Sequence, residues 1–427
     1  MFKRIVAMKI WWLAKLIIKR YQPLVIGITG SVGKTSAKEA VYSVLRGTFS
    51  PRKNEKNFNN EFGVPLTVIG SRESAGRSFF AWLAIILQGW KVLLWSHDYP
   101  KVLILEMGAD RQGDISALVS LTRPKIGILT AIGASHLEYF KTLENIVKEK
   151  SQLILGLPKD GTAIMNFDDP MLAGVIGKAS CKVLTFGYHD DADIRAEQYH
   201  LAEFEGRIGS SFKVNYQGNS IPAFLPDALG KQQTYAALAA IATAIATEIS
   251  LFDAVQRLFQ YQAPPGRTHI INGIKQSIII DDTYNASPQS TIAALALLKD
   301  VQELKKCTET YAVLGAMLEL GTYAESGHIE VGRAAFQSGV NNLVAVGQLA
   351  KKIAQGARET GMPERQIFYF EDTVSAGKFI QAKMQANSLL LIKGSQGARM
   401  ELIVKELMSD PLHAPELLVR QGKEWAR

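Results

Sequence analysis

The run Ile28-Thr29-Gly30-Ser31-Val32-Gly33-Lys34-Thr35-Ser36 constrains this chain more than any other feature. It follows a short β-branched stretch, Leu24–Thr29, and leads into a helical one at residues 36–45. A glycine-rich turn between a strand and a helix aims backbone N–H groups at one point and forms a concave anion site. A lysine there adds a point charge for β- and γ-phosphates, and the hydroxyl that follows is placed to bind Mg²⁺. The full pattern G-x-x-x-x-G-K-[ST] would have glycine at position 28, where this chain has Ile28, so G-x-x-G-K-T remains. Its setting between strand and helix makes phosphate binding by Gly30, Ser31, Val32, Gly33, Lys34, Thr35 and Ser36 the expectation.

Such a loop commits the chain to an α/β fold, and the rhythm beyond it agrees. Val102–Glu106 and residues 126–131 read as buried parallel strands. Residues 181–225 alternate and carry turn signals, which suggests β-hairpins at a sheet edge, and an alanine-rich helix follows near 234–247. Ala263-Pro264-Pro265-Gly266-Arg267 is the clearest breaker in the chain and reads as a domain boundary. After it, strands expected near 277–282, 311–315, 343–347, Ile367–Phe370 and 389–393 alternate with helices, as in a second doubly wound unit. The expected organisation is a basic amphipathic helix at 1–22, a P-loop-containing central domain with a mostly parallel sheet at 23–263, and a Rossmann-like C-terminal α/β domain at 264–427. A chain of 427 residues is long enough for this plan.

Composition excludes several alternatives. With 47% hydrophobic and 21% charged residues, the chain is not disordered. Cys181 and Cys307 are the two cysteines, too far apart for a zinc motif and too few for a disulfide framework, which suggests a reducing compartment. Of the net charge of +8, six charges fall in the first 23 residues, which contain no acid. The rest is nearly balanced and carries no recognition motif, so no nucleic-acid partner is expected.

That basic opening segment mixes apolar and cationic residues at helical spacing and carries Trp11 and Trp12. Its uncharged runs are far shorter than the ~18–20 residues that span a bilayer, and it lacks a signal-peptide pattern. Two readings fit: a helix on the inner face of the cytoplasmic membrane, or a helix packed on the protein body. A second apolar stretch, Phe79–Trp95, is uncharged up to Trp90, which favours a buried or interfacial helix. Five of the six tryptophans lie in these two segments, and indole favours a membrane interface, so a peripheral membrane contact through 1–22 and 79–95 is expected. A buried helical pair explains the clustering too.

In open parallel sheets ligands bind at the carboxyl ends of strands. Glu106 ends one strand and His136 follows another, so both are expected on the edge that carries the phosphate loop. A carboxylate and an imidazole there would suit a second cation, although Mg²⁺ prefers oxygen ligands. Taken singly, Glu106 reads as a strand-end cap and His136 as a neighbour of a helix N-terminus.

Several blocks, in order, then resemble one family. They are Gly30–Ser36, the nine residues from Asn57 to Pro65, Glu106-Met107-Gly108-Ala109, His136-Leu137-Glu138, Pro265-Gly266-Arg267, Asp281-Asp282-Thr283-Tyr284-Asn285-Ala286 and Lys393-Gly394-Ser395. The sequence resembles the Mur ligases of peptidoglycan synthesis from about residue 23 to about 407, and among them the type that adds D-alanyl-D-alanine. The resemblance implies an ATP-dependent amide ligase in which a substrate carboxylate takes the γ-phosphoryl group and an amine then displaces phosphate. It also implies ATP and two Mg²⁺ ions as cofactors, a muramoyl peptide and D-Ala-D-Ala as partners, and a cytoplasmic location. Residue by residue it implies Lys34 on the phosphates and Thr35 on the first Mg²⁺, with Glu106 and His136 on the second. Lys150 matches a lysine that is carbamylated in the family, with Lys148 close by as the competing position. Arg267 would reach the γ-phosphate, Asp282 and Asn285 would contact nucleotide or substrate, and Asn59, Asn60, Lys393 and Ser395 would serve the substrate.

The chain departs from the family pattern in three places. The residues ahead of Leu24 are too few for a UDP-binding domain, so the substrate is expected to be held differently, at a membrane or as a lipid-linked or partner-presented species. Gln232, Gln233 and Ala236 stand where the family shows adenine-binding residues. Ala316 stands where an aspartate is usual. Rival readings are a Mur-type or folylpolyglutamate-synthase-like ligase for another amino acid, and a membrane-recruited nucleotide-binding scaffold.

Overall fold

Strand β1 (Leu24–Thr29) is an interior strand, third from one edge of a nine-stranded sheet, and it carries the phosphate loop. The computed structural model describes residues 2–55, 58–71, 76, 78–96, 98–133, 137–422 and 425. The other strands of this sheet are β2 (Pro51–Lys53), β3 (Val102–Glu106), β4 (Ile126–Leu129), β5 (Thr162–Asn166), β6 (Lys182–Gly187), β7 (Ile194–Phe204), β8 (Arg207–Tyr216) and β9 (Asn219–Pro226). Their order is β2-β3-β1-β4-β5-β6-β7-β8-β9. All neighbours up to β7 run parallel, and β7, β8 and β9 form an antiparallel meander at the edge, where hairpins were expected.

Both faces of this sheet are covered, which is why its central strands are almost purely apolar. Successive side chains of a strand point to opposite faces. Ile26, Ile28 and Ile104 accordingly join one core with α2 (Lys34–Leu45) and the helix Lys231–Ala246. Val25, Leu103 and Leu105 join the other core, with α1 (Phe2–Tyr21), α3 (Gly63–Ile69), α4 (Phe79–Trp95) and α5 (Asp114–Thr122). Helix α1 is part of that second core. Val6, Ile10, Leu13, Ala14, Ile17 and Ile18 form its buried stripe, and each large one contributes ~1.5–3 kcal/mol by leaving water. Arg20 donates to the carbonyl of Leu93, and the Tyr21 hydroxyl donates to those of Val92 and Ser96, which ties α1 to α4. No described helix is long and apolar enough to cross a membrane.

Beyond Ala263 a second sheet begins. It contains β10 (His269–Asn272), β11 (Ile278–Asp282), β12 (Glu309–Gly315), β13 (Asn342–Val346), β14 (Ile367–Phe370) and β15 (Ser388–Lys393), in the order β10-β11-β15-β12-β13-β14. All pairs are parallel except β10 with β11, and separate apolar cores fill its two faces. At the junction Gly266 has φ +71°, and a Cβ there would lie 2.9 Å from the backbone nitrogen of Tyr284, so glycine is required.

The structure differs from the sequence expectations mainly at element ends. The strand expected over 126–131 stops at Leu129, because the next residues turn under the phosphate loop, where Ala131 O accepts from Ser31 N at 2.6 Å. The helix expected at 234–247 starts at Lys231. Strands β2, β5 and β10 had no counterpart in the sequence reading; β2 and β10 are short edge strands with polar residues, which leave no periodic signal.

Candidate active site

The register of β1 against β3 pairs Ile28 with Glu106, so the chain leaves β1 for the glycine loop beside that carboxylate. Thr29 secures the exit by donating its hydroxyl to Met107 O at 2.8 Å. Gly30 has φ +150°, and a Cβ there would stand 2.1 Å from Thr130 Oγ1. Gly33, at φ +86°, then turns the chain into α2, whose first residue is Lys34. The Lys34 ammonium folds over the loop and donates to the carbonyls of Gly30 (2.7 Å) and Ser31 (3.3 Å). Burial lowers its pKa, because a desolvated cation is disfavoured until an anion joins it.

Glu106 is the hub. Asn54 fixes its backbone from both sides, donating to Glu106 O and accepting from Glu106 N, each at 2.9 Å. On the side chain, Thr35 Oγ1 donates to one carboxylate oxygen at 3.0 Å and Asn59 Nδ2 to the other at 3.1 Å. The buried Lys38 ammonium stands 3.7 Å away. Burial alone would raise the Glu106 pKa, but Lys38, Lys34 and the hydrogen bonds from Asn59 and Thr35 together hold the carboxyl below its ordinary value. Lys38 and Asn54 were not singled out in the sequence. Lys38 had a signal, since it lies one helical turn past Lys34 and so on the same face of α2. Asn54 had none.

Lys150 ends the helix Leu143–Lys150, capped at its start by the Thr142 hydroxyl. Glu149 anchors this helix by accepting from the backbone nitrogens of Gly113 and Ile115, both at 2.8 Å. Lys150 is buried and lines the cleft between the two sheets, whereas Lys148 is exposed. Burial first, and then the Lys34 charge, lower the Lys150 pKa to about 7.

A cleft of about 930 Å³ opens between the two sheets. Ser31, Val32, Gly33, Lys34 and Ser36 line it from the loop, joined by Asn59, Asn60, Glu106 and Lys150. From the second sheet's side come Arg267, Asp282, Asn285, Lys393 and Ser395. Gly30 and Thr35 stand just behind the wall, through Lys34 and Glu106. Arg267 stands over the Tyr284 ring, with its guanidinium carbon 4.0 Å from the ring centroid. Lys393 is satisfied by Asp282 (2.6 Å) and by Asn285 O (3.0 Å), so this pair is a fixed strut with little free charge. Ser395 accepts from Leu318 N at 2.9 Å and donates to Ala286 O at 3.3 Å. His136 lies outside the described residues.

A smaller cavity of about 190 Å³ adjoins the loop, sharing Val32 and Gly33 with the cleft. Asn166 and Asp168 line it at the end of β5, together with Gln232, Tyr235 and Ala236. Asp168 accepts from the nitrogens of Tyr188 (2.6 Å) and His189 (2.9 Å) and from the Tyr235 hydroxyl (2.7 Å). Of the three residues at the family's adenine positions, Gln232 and Ala236 face this cavity. Gln233 has a different job: buried, it donates to Arg267 O at 2.9 Å and accepts from the Tyr261 hydroxyl at 2.7 Å, and so holds the domain junction.

Among the described residues, no cluster of three His, Cys, Asp or Glu side chains forms a ready-made metal cage. The Thr35 hydroxyl and the Glu106 carboxylate, side by side at the phosphate loop, are nevertheless the oxygen donors that Mg²⁺ takes. Mg²⁺ keeps most of its shell as water and phosphate oxygen, so a single such protein group can serve each ion.

A phosphate loop on a parallel sheet, facing a second α/β unit across a cleft lined by charged side chains of both signs, defines a two-domain nucleotide-binding enzyme. Comparison with known proteins narrows this. The Mur ligase middle domain matches residues 91–244, and the Mur ligase glutamate ligase domain matches residues 266–396. The UDP-N-acetylmuramoyl-tripeptide–D-alanyl-D-alanine ligase of Bacillus subtilis is 32% identical over 402 residues, covering 94% of this chain and 79% of that protein. Its namesake from Escherichia coli is 31% identical, over 90% of this chain and 77% of the relative. A crystal structure of MurF from Acinetobacter baumannii superposes with a TM-score of 0.78 at 26% identity, covering 95% of this chain and 81% of that one. The chain belongs to the Mur ligase family.

Proposed function

We propose that this protein is an ATP-dependent amide ligase that adds D-alanyl-D-alanine to a muramoyl tripeptide during peptidoglycan precursor synthesis. The observation that carries the reading is the meeting of Lys34, Lys150, Arg267 and the Glu106–Thr35 pair on one interdomain cleft. The names of the two relatives supply the amine and the acceptor.

The reaction brings three anionic groups together, so its main demand is charge compensation. The loop amides and Lys34 receive the triphosphate, and the cavity beside Asp168 and Tyr235 takes the base. An oxygen of the acceptor carboxylate attacks the γ-phosphorus, the bond to the bridging oxygen breaks, and ADP leaves an acyl phosphate behind. Arg267 counters the charge that builds on the transferred group. The neutral amine then attacks the acyl carbon, phosphate departs, and the amine loses a proton to solvent. Asn59, Asn60, Asn285 and Ser395 position the two substrates across the cleft.

Thr35 would hold one Mg²⁺, and Glu106 with Lys150 a second. Bound there, Mg²⁺ screens the phosphates and polarises the γ-phosphoryl group toward attack. A lysine would suit that place once carbamylated, since its uncharged amine adds to the carbon of CO₂, releases a proton to solvent and becomes an anionic oxygen donor. A pKa of about 7 keeps a large share of the Lys150 amine uncharged at neutral pH. The neighbouring Glu149 is occupied by two backbone nitrogens and does not compete for it.

The test is phosphate release from ATP with muramoyl tripeptide and a panel of amines. Release that depends on D-Ala-D-Ala is expected. Release only with another amino acid would replace the amine assignment, and none with any pair, soluble or lipid-linked, would overturn the ligase reading.

A further inference from the structure

The outward face of α4 carries almost nothing polar. Phe80, Leu83, Leu87, Trp90 and Leu94 recur about one helical turn apart and are all exposed, Phe80 to 80% and Leu87 to 59%, with Trp95 at 68% closing the row. Helices of soluble proteins show the reverse pattern, with the apolar stripe inward and the charged residues outward. Here the inward stripe of Trp82, Ile85, Gly89 and Leu93 is apolar as well. Helix α1 extends the exposed row, for its Met8 and Trp12 are exposed at 66% and 51%, and the Trp12 and Trp90 rings meet at 5.8 Å. Contiguous apolar surface of this kind marks a contact site.

Charge selects the occupant. Lys9, Lys15 and Lys19 stand exposed on α1, and Lys91 on α4, while neither helix contains an aspartate or glutamate. A second copy docked through this face would set lysines near lysines with no acid in either helix to answer them. A bilayer bearing anionic headgroups offers both an apolar layer for the aromatic row and the opposite charge for its rim. Indole and phenyl rings at such a boundary are the expected anchors.

We infer that α1 and α4 together form a monotopic docking surface for an anionic lipid bilayer, with Phe80, Leu83, Leu87, Trp90 and Leu94 in the acyl boundary and Lys9, Lys15, Lys19 and Lys91 at the headgroups. Trp11, next to the exposed Trp12, lines the interdomain cleft. Helix α1 thus contributes both to the docking row, through Trp12, and to the cleft, through Trp11.

The test uses the full chain without nucleotide or substrate, so it is independent of the ligase reading. Vesicles of phosphatidylcholine containing 3 parts in 10 phosphatidylglycerol, as a roughly physiological anionic surface, are compared with pure phosphatidylcholine by co-sedimentation. Binding to the anionic vesicles alone, weakened by added salt, is expected. The double substitution Leu87→Glu and Leu94→Glu, at exposed positions, is expected to lower partitioning more than about tenfold while leaving the circular dichroism spectrum unchanged. Should that variant misfold, brominated lipids read the unaltered protein: quenching of its tryptophan emission supports docking, and undiminished emission overturns it. The proposal also fails if the chain stays in the supernatant, if both vesicle types bind it equally, or if light scattering shows a dimer that Leu87→Glu dissociates.

Discussion

Lys150 and Asp281 are both buried ionisable groups with a pKa moved to about 7, from opposite directions and with different consequences. For Lys150 the shift is downward, so the uncharged amine that carbamylation needs is abundant above pH 7 and scarce below. Activity of the bicarbonate-loaded protein is expected to fall as pH drops through about 7. Lys150→Ala is expected to lower kcat by about 10²–10³, on the scale of losing one charge-stabilising group, while Lys148→Ala leaves steady-state rates unchanged. Equal losses in the two variants would remove Lys150 from the site. For Asp281 the shift is upward, from burial, and its Oδ2 has no hydrogen-bond partner. Between about pH 4 and 7 the native state holds a proton that the unfolded chain has released, so this group's contribution to stability declines as pH rises across that window. Asp281→Asn keeps an oxygen for Thr283, which donates to Oδ1 at 3.1 Å from its nitrogen and 2.6 Å from its hydroxyl. Urea unfolding at pH 5 and pH 8 is expected to show a smaller difference for the variant than for the parent, and an unchanged difference would assign the pH dependence elsewhere.

At the scale of elements, α1 behaves as core although its charge suggests a detachable tail. Leu13 is 1% exposed and packs in the same cluster as Trp82 and Ile85 of α4. Leu13→Ala is therefore expected to cost about 2–5 kcal/mol of folding stability, measured by denaturant titration of the whole chain. A tail loosely attached to the domain would show no change. This is also where the sequence was only half legible. Helical spacing marked the α1 segment as an amphipathic helix, and an uninterrupted apolar run marked Phe79–Trp95 as a helix, because both signals are local. Whether an apolar residue meets protein or stays exposed is a tertiary fact, and both outcomes occur on these two helices, inward and outward. The same division holds in the site. Gly30, Lys34 and Thr35 were readable because a phosphate loop is built from consecutive residues, and Glu106 because a strand end lies at a predictable edge. Lys148 and Lys150 could not be separated without burial. The part of Gln233 in holding Arg267 O depends on a residue 34 positions away, which no local pattern encodes.

For the molecule as a whole, the decisive geometry is that Lys34 belongs to the first sheet's domain and Arg267 to the junction of the second, with the cleft between them. A ligand that reaches only the loop should therefore be indifferent to Arg267, and a step that needs both walls should not. ADP lacks the γ-phosphate that Arg267 is proposed to meet. In the parent protein, ADP with Mg²⁺ at 100 times its Kd is expected to add about 2.7 kcal/mol to unfolding by mass action, seen as a rise in Tm. Arg267→Ala should retain that rise, because its loop is intact, yet lose about 10²–10³ in kcat for amine-dependent phosphate release. Lys34→Ala should lose both. Removing the Arg267 side chain also unstacks Tyr284, so Arg267→Lys is the sharper control: it keeps a cation over the ring but lacks the planar fork that grips a phosphoryl group at two oxygens. A Lys variant as slow as the Ala variant, with the ADP-induced rise in Tm intact, would locate the contribution of Arg267 in the transfer step. If instead both variants lost ADP stabilisation in parallel with activity, Arg267 would be a nucleotide-binding residue, and joining of the two walls would have to be assigned to other groups of the cleft.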